Sequence, residues 1–393
     1  MNKKLRFGVI GIGRMGSRHA FNLARGFVRG VKLVAVCDIL SKALERSKKY
    51  TKAKKYSCYK EMIENEKLDG VIIATEHYPH GEIARYCIEQ KVHVLIEKPL
   101  TVTKLDADKV VEVAKANPDV IVGVNFNQRS NKMYKKAKKL ISSGKLGSIQ
   151  RADYIITNWY RSDAYYKQGG WRGTYCEEGG GSLINQCVHQ LDILQWLIGM
   201  PTSITAKTKT VDRNICTEND IVAILEYPEY NCSFSASSHE LSGVNRLEIA
   251  LDKGRIVMGK FFMKVYRHKS QKQVNKETTF GYGMSPSFMT ISSYGLIRQL
   301  RDLILGQQIR TIKAFAKAIK NKGELLANVE EGHKSVELIN AIYLSSWKDA
   351  KVFLPIDANE YENALEEKRQ EEKNKVNSKW CKMIIMFCNR FNC

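Results

Sequence analysis

No stretch of this sequence carries the roughly 18 consecutive apolar residues that a bilayer-spanning helix requires, so a helical membrane protein is not expected. Cysteine occurs 10 times but never as Cys-x-x-Cys. That spacing argues against a thioredoxin-type redox pair and a zinc ribbon, and the scattered thiols read as reduced. Cys37 and Cys87 fall inside apolar segments, where cysteine behaves as a small buried hydrophobe. No His/Cys cluster has zinc-like spacing, and no metal is expected. The opening Met1-Asn2-Lys3-Lys4 runs into a glycine-interrupted stretch with no small-residue cleavage site, so the expected location is the cytoplasm.

Acidic residues are also scarce relative to basic ones, 41 against 63, for a net charge of +22. A basic surface attracts phosphates, yet the lysines fall in helix-like segments such as 48–55 and 135–139, with no zinc-finger or RNA-binding signature beside them. They read as solvated helix faces, and no nucleic-acid partner is expected. The same charge suits an anionic cofactor or substrate.

What is present is enough for two cores: 393 residues, 44% of them apolar. Up to residue 126, short Val/Ile-rich runs at 5–10, 31–37, 70–75, 92–97 and 120–125 alternate with helix-like stretches at 17–27, 41–50, 80–89 and 104–116. Alternation of this kind predicts a Rossmann-type, doubly wound parallel sheet (α/β). Residues 127–362 change rhythm. A helix at 182–198, strand-like runs at 204–210, 221–227, 232–238 and 247–251 with short turns, and helices near 309–320 and 330–347 predict an α+β domain on a large, open, mainly antiparallel sheet. The remaining residues, 363–393, combine a dense charge run with a short apolar cluster at 383–387 and are expected to be a poorly ordered or peripheral tail.

Gly11-Ile12-Gly13-Arg14-Met15-Gly16 closes the first strand and opens the first helix. In that context Gly11 allows the tight turn, Gly13 lets a pyrophosphate approach the backbone, and Gly16 lets helix and strand pack closely. Asp38 ends the second strand 22 positions after Gly16, where a carboxylate accepts hydrogen bonds from the adenosine ribose hydroxyls. NAD is therefore favoured. Lys42, one turn on, keeps NADP as the less favoured alternative. Glu97-Lys98-Pro99 lies at the C-terminal end of the 92–97 strand, the edge where doubly wound sheets bind ligands, and Thr75 and His80 follow the neighbouring strand at that edge. In the second domain, Asn185, His189, Asp192 and Trp196 share one face of a helix that begins after Gly179-Gly180-Gly181.

Together, the Gly11–Gly16 motif, Glu97-Lys98-Pro99 and the run from Gly179-Gly180-Gly181 to His189-x-x-Asp192 resemble the glucose-fructose oxidoreductase / inositol dehydrogenase (Gfo/Idh/MocA) family, over about residues 5 to 360. Gly170-Trp171-Arg172, the segment from Asn125 to Arg129 and Leu344-Ser345-Ser346-Trp347 are similar to a branch acting on sugars and glycosides. The resemblance implies an NAD(P)-dependent dehydrogenase in which Lys98 orients a reacting hydroxyl and His189 takes its proton. It implies Gly11, Ile12, Gly13, Arg14, Met15, Gly16, Asp38, Thr75, His80, Glu97 and Lys98 as cofactor contacts, and Arg129, Tyr160, Trp171, Arg172, Asn185 and His189 as substrate contacts. Many relatives carry Asp where this chain has Asn185, and an amide is not a base. A homodimer or homotetramer acting on a sugar, glycoside or polyol is expected; a catalytically silent NAD-binding regulator is the alternative on the same fold.

Overall fold

The computed structural model describes residues 3–168, 170–279, 290–294 and 306–391, with side chains described as far as Lys375 except those of 290–294. The first unit runs β1 (Leu5–Ile10), α1 (Arg14–Ala24), β2 (Val31–Cys37), α2 (Ser41–Ser47), β3 (Lys54–Tyr56), α3 (Tyr59–Glu66), β4 (Gly70–Ile73), α4 (Pro79–Glu89), β5 (His93–Ile96), α5 (Lys104–Ala116) and β6 (Val122–Val124). Its six strands are parallel, in the order β3-β2-β1-β4-β5-β6. Because helices cover both faces, the strands need to be apolar throughout, and all four residues of β4 are buried. The sequence reading has neither β3 nor α3. The edge strand is Lys-Lys-Tyr, with Lys54 exposed, and carries no apolar run to mark it.

The second unit continues with α6 (Lys132–Ser142), β7 (Ile149–Ile156), α7 (Asp163–Lys167), a π-helical turn at Leu183–Cys187 running into α8 (Val188–Ile198), and then β8 (Ser203–Lys209), β9 (Asp220–Glu226), β10 (Asn231–Ser237), β11 (Asn245–Leu251), β12 (Gly254–Gly259), β13 (Met263–Arg267), α9 (Gln271–Glu277) and β14 (Thr290–Tyr294). After these come α10 (Gln307–Ile319), α11 (Val329–Lys348), β15 (Val352–Phe353) and α12 (Ala358–Phe391). The described strands form a nine-stranded sheet ordered β14-β13-β12-β11-β7-β10-β9-β8-β15, antiparallel except for β7 beside β10. Along β9 the side chains alternate: Ile221, Ala223 and Leu225 are buried in a core shared with residues of α8 and α11, whereas Val222 and Ile224 face outward. No helix among the described residues is long and apolar enough to cross a membrane.

Two boundaries differ from the sequence expectation. Helix α10, placed with the second domain, packs on the first. Phe315 lies 5.5 Å from Phe7 between ring centroids, and Ile312 and Phe315 share a core with Val9 and Leu95. A parallel sheet needs cover on both faces, and the chain returns from the second domain to supply part of it. The segment after residue 362, expected to be a poorly ordered or peripheral tail, continues α12. Tyr361 and Leu365 are fully buried, and the Glu372 carboxylate accepts from the backbone N–H of Tyr175 at 2.6 Å. The 383–387 cluster lies outside the described side chains.

Candidate active site

The turn between β1 and α1 is built by its glycines. Gly11 has φ +83, and a Cβ there would meet the Ala74 and Thr75 backbone at 2.7 Å; one on Gly16 would strike the Gly11 carbonyl oxygen. At Gly13 a Cβ would meet nothing within 4 Å, so this backbone is open to an incoming group. Gly13 caps α1 with no side-chain hydrogen bond, and the first turn carries no acidic residue. The helix N-terminus therefore presents its N–H donors and the positive end of its dipole to a phosphate. Asp38 accepts from the N–H of Ile12 at 2.6 Å and of Leu40 at 2.8 Å, which fixes the turn and leaves carboxylate lone pairs for a ribose diol. These residues fit a bound NAD. Arg14 is exposed, and Met15 and Thr75 are half-buried at the same edge.

Lys98 follows β5 and reaches across to the π turn. Its Nζ donates to the backbone carbonyl of Asn185 at 2.7 Å and lies 3.5 Å from Asn185 Oδ1. A π turn widens the helix backbone, and such turns recur at functional sites. Burial pushes the Lys98 pKa below the usual lysine range, against the attraction of Glu97 and Glu178. His189 begins α8 at 9% exposure, its Nδ1 buried without a hydrogen-bond partner, and its ring meets Phe126 edge-on. Burial, reinforced by the Lys98 ammonium, pushes it down to about 3, so its imidazole is neutral. Trp171 and Arg172 lie beside this group. The Arg172 guanidinium sits 4.4 Å from the Tyr165 ring and 4.5 Å from that of Trp171, and donates to Tyr165 Oη at 2.5 Å. The same oxygen accepts from Gln186 at 2.9 Å, and Arg161 covers the other approach to the ring at 4.7 Å.

Four expected contacts are held by partners within the chain. Glu97 is 6% exposed, and its Oε1 lies 2.6 Å from His19 Nε2 and accepts from Asn125 Nδ2 at 2.5 Å. It braces α1 against the sheet from behind the cofactor edge. Burial alone would raise its pKa; His19, Lys98 and Asn125 outweigh that and hold it at about 2. His80 is fully buried, its Nδ1 2.8 Å from the Pro99 carbonyl oxygen, and it ties two loops together. Arg129 forks onto Asp192 at 2.7 and 2.8 Å and pairs with Glu331. At 1% exposure its donors are spent on joining α8 to α11, and Asp192 leaves the His189 stripe for this pair. Tyr160 stands 40% exposed beneath Arg213. The sequence reading also misses Glu178 and Glu218, since a glutamate in an irregular loop carries no periodic signal.

A glycine turn and a lysine on one edge of a parallel sheet, closed by a helix from a second sheet domain, are the plan of a dinucleotide-dependent oxidoreductase. The chain belongs to the Gfo/Idh/MocA family: the model described as "Oxidoreductase family, NAD-binding Rossmann fold" matches residues 5–126, and the "GFO/IDH/MocA C-terminal domain" matches residues 134–257. Inositol 2-dehydrogenase of Salmonella typhimurium is 29% identical over 233 residues, 57% of this chain and 62% of that protein. The chain thus matches less than two thirds of that relative's length. The scyllo-inositol 2-dehydrogenase (NAD(+)) of Bacillus subtilis is 29% identical over 274 residues, 66% of this chain and 75% of that one. Among solved structures, the WlbA dehydrogenase of Chromobacterium violaceum, in complex with NADH and UDP-GlcNAcA, is 25% identical with TM-score 0.76, covering 91% of this chain and 98% of that one. Levoglucosan dehydrogenase with NADH and levoglucosan, at 20% identity and TM-score 0.72 over 90% of this chain and 100% of that one, shares the fold.

Proposed function

We propose that the protein is an NAD-dependent dehydrogenase oxidising a secondary hydroxyl of a sugar, glycoside or polyol. The observation that carries this reading is the convergence of the Lys98 ammonium, Asn185 and the neutral, unpartnered His189 at the carboxyl edge of the sheet. NAD, when bound, supplies the hydride acceptor. Lys98 donates a hydrogen bond to the reacting oxygen and stabilises the alkoxide that develops on it. His189 accepts the hydroxyl proton. Trp171 offers a flat aromatic face to the apolar side of a ring, and Arg172 offers donors to hydroxyls or a carboxylate. C3 of a glucoside is the favoured position; inositol and nucleotide-linked sugars are the nearest alternatives, in keeping with what the relatives' names say of them. The open face of the second sheet, where Ile155, Val222 and Ile224 are exposed, is read as the surface of a homodimer or homotetramer.

Thermal-shift measurements with NAD plus inositols, methyl glucosides and UDP-sugars, followed by NADH absorbance with each, test the reading. A stabilising compound that is also oxidised is expected. Stabilisation by NAD with no NADH formed from any of them would move the assignment to an NAD-binding regulator.

A further inference from the structure

The loop between Trp171 and the π turn holds a carboxylate that the mechanism above does not use. Glu178 is 2% exposed. Its Oε2 accepts from the Gly173 N–H at 2.6 Å, its Oε1 accepts from Asn185 Nδ2, and its backbone carbonyl accepts from His77 Nδ1 at 2.8 Å. The Asn185 amide nitrogen thus donates to the Glu178 carboxyl and, at 3.4 Å, to Tyr165 Oη, which turns Oδ1 toward Lys98. One side chain bridges an anion and a cation. The charged groups acting on the Glu178 carboxylate are Arg172 and Lys98, both positive, while burial opposes its ionisation and brings it to about 7. His77 is held neutral by its own burial. Lys98 in turn is attracted by two carboxylates, Glu97 and Glu178. Glu97 is already bonded to His19 and Asn125.

We propose that Glu178 is a positioning residue of the catalytic centre: through Asn185 it supplies the carboxylate charge that keeps Lys98 an ammonium and aims the Asn185 oxygen at it. This rests on the dehydrogenase reading for its effect on rate, and on geometry alone for its effect on Lys98. It also accounts for Asn at 185. A carboxylate at 185 would occupy the same junction directly; here the charge sits one hydrogen bond further out, on the loop.

The test uses Glu178→Gln, which keeps the shape and removes the charge, with Glu178→Asp as the charged control. In the wild type kcat is expected to rise as pH passes about 7 and Glu178 ionises. Glu178→Gln is expected to lose that limb and about 10-fold or more in kcat while binding NADH as before, and Glu178→Asp to keep the limb. Adding Asn185→Asp to Glu178→Gln is expected to restore most of the rate. A readout independent of turnover is the titration of the Lys98 amine after ¹³C reductive methylation, followed by NMR and assigned by its absence in Lys98→Arg. Its pKa is expected to fall by about one unit in Glu178→Gln, the size of effect typical of a lost neighbouring charge. In the wild type the same signal is expected to show a second inflection near pH 7, which needs no variant to fold. A wild-type Lys98 signal without that inflection, or a Glu178→Gln protein with an unchanged kcat profile, would overturn the proposal. If no substrate is turned over, the dehydrogenase reading fails and the Lys98 titration still decides the role of Glu178.

Discussion

Lys98 gives up much of its hydration on folding and receives in exchange one backbone carbonyl at 2.7 Å and the attraction of two carboxylates. An ammonium so placed is short of acceptors, and an oxygen acquiring negative charge fills the deficit. His189 is short of a partner in the same way. From these two deficits we expect Lys98→Ala and His189→Ala each to slow turnover by about 10²-fold or more, the usual contribution of an acid–base group, while the NADH dissociation constant stays within a few-fold of wild type. Wild-type rates in both would remove them from the mechanism. Lys98, Asn185 and His189 are legible in the sequence because one lies at a strand end and two share a helix face. Glu97, His80 and Arg129 sit at equally suggestive positions and turn inward. A residue name and a strand end do not say which way a side chain points; burial does, and only the packed structure has burial.

Among the elements, the junction between Gly179 and α8 departs most from its expectation. A continuous α-helix over 182–198 is the simplest reading of the sequence, whereas the chain enters through a π turn. The glycines explain how the turn is held. A Cβ on Gly181 would lie 2.0 Å from the Glu218 carbonyl oxygen, and the Glu218 carboxylate accepts from the N–H groups of Gly181 at 3.1 Å and Leu183 at 2.8 Å. A loop residue distant in sequence therefore caps the helix that carries Asn185 and His189, and no local pattern announces it. Helix α12 acts comparably on the 171–178 loop. Glu372 accepts from the Tyr175 N–H, and Arg369 covers the Tyr78 ring at 4.9 Å while Tyr78 Oη donates to the Tyr175 carbonyl at 2.6 Å. Glu372→Ala leaves a buried amide unpaired, and a loss of about 1–3 kcal/mol is expected in denaturant unfolding, together with faster proteolytic cleavage in the 171–178 loop. Unfolding and cleavage both unchanged would mean that α12 merely lies against the surface.

For the molecule as a whole, the buried titratable groups set a pH window. Glu178 and Glu218, both raised to about 7 by burial, keep protons in the folded chain that the unfolded chain sheds above its ordinary 4.5. Their contribution to stability is full below that value and is lost as pH rises to about 7. His77, His80 and His189 are pushed down by burial, so the unfolded chain takes up protons below about 6.5 that the folded chain refuses. Their contribution is lost as pH falls, joined below 4.5 by that of Glu97. Between about 4.5 and 6.5 the raised carboxylates, which Asp192, Glu76 and Glu372 join, oppose the lowered histidines, which His93 joins, so the two sets largely offset each other and a plateau of stability is expected there, with a decline on either side. Melting temperatures across pH 4 to 9 check this; Glu218→Gln is expected to flatten the decline toward pH 7, and a maximum well above pH 8 would show that these groups do not set the window.

By itself the sequence determined the alternation of strand and helix that makes a parallel sheet, the glycine turn with Asp38, and the lysine and histidine of the candidate centre. All of these rest on local patterns: apolar period, backbone clearance and strand ends. The tertiary structure alone decided that α10 returns to the first domain's core, that α12 docks on the 171–178 loop, and that Glu178 and Glu218 stand behind the helix carrying Asn185 and His189. All but the Glu178–Asn185 contact join residues far apart in the chain, and it is burial, which takes both sides of a contact, that sets what a loop glutamate can do.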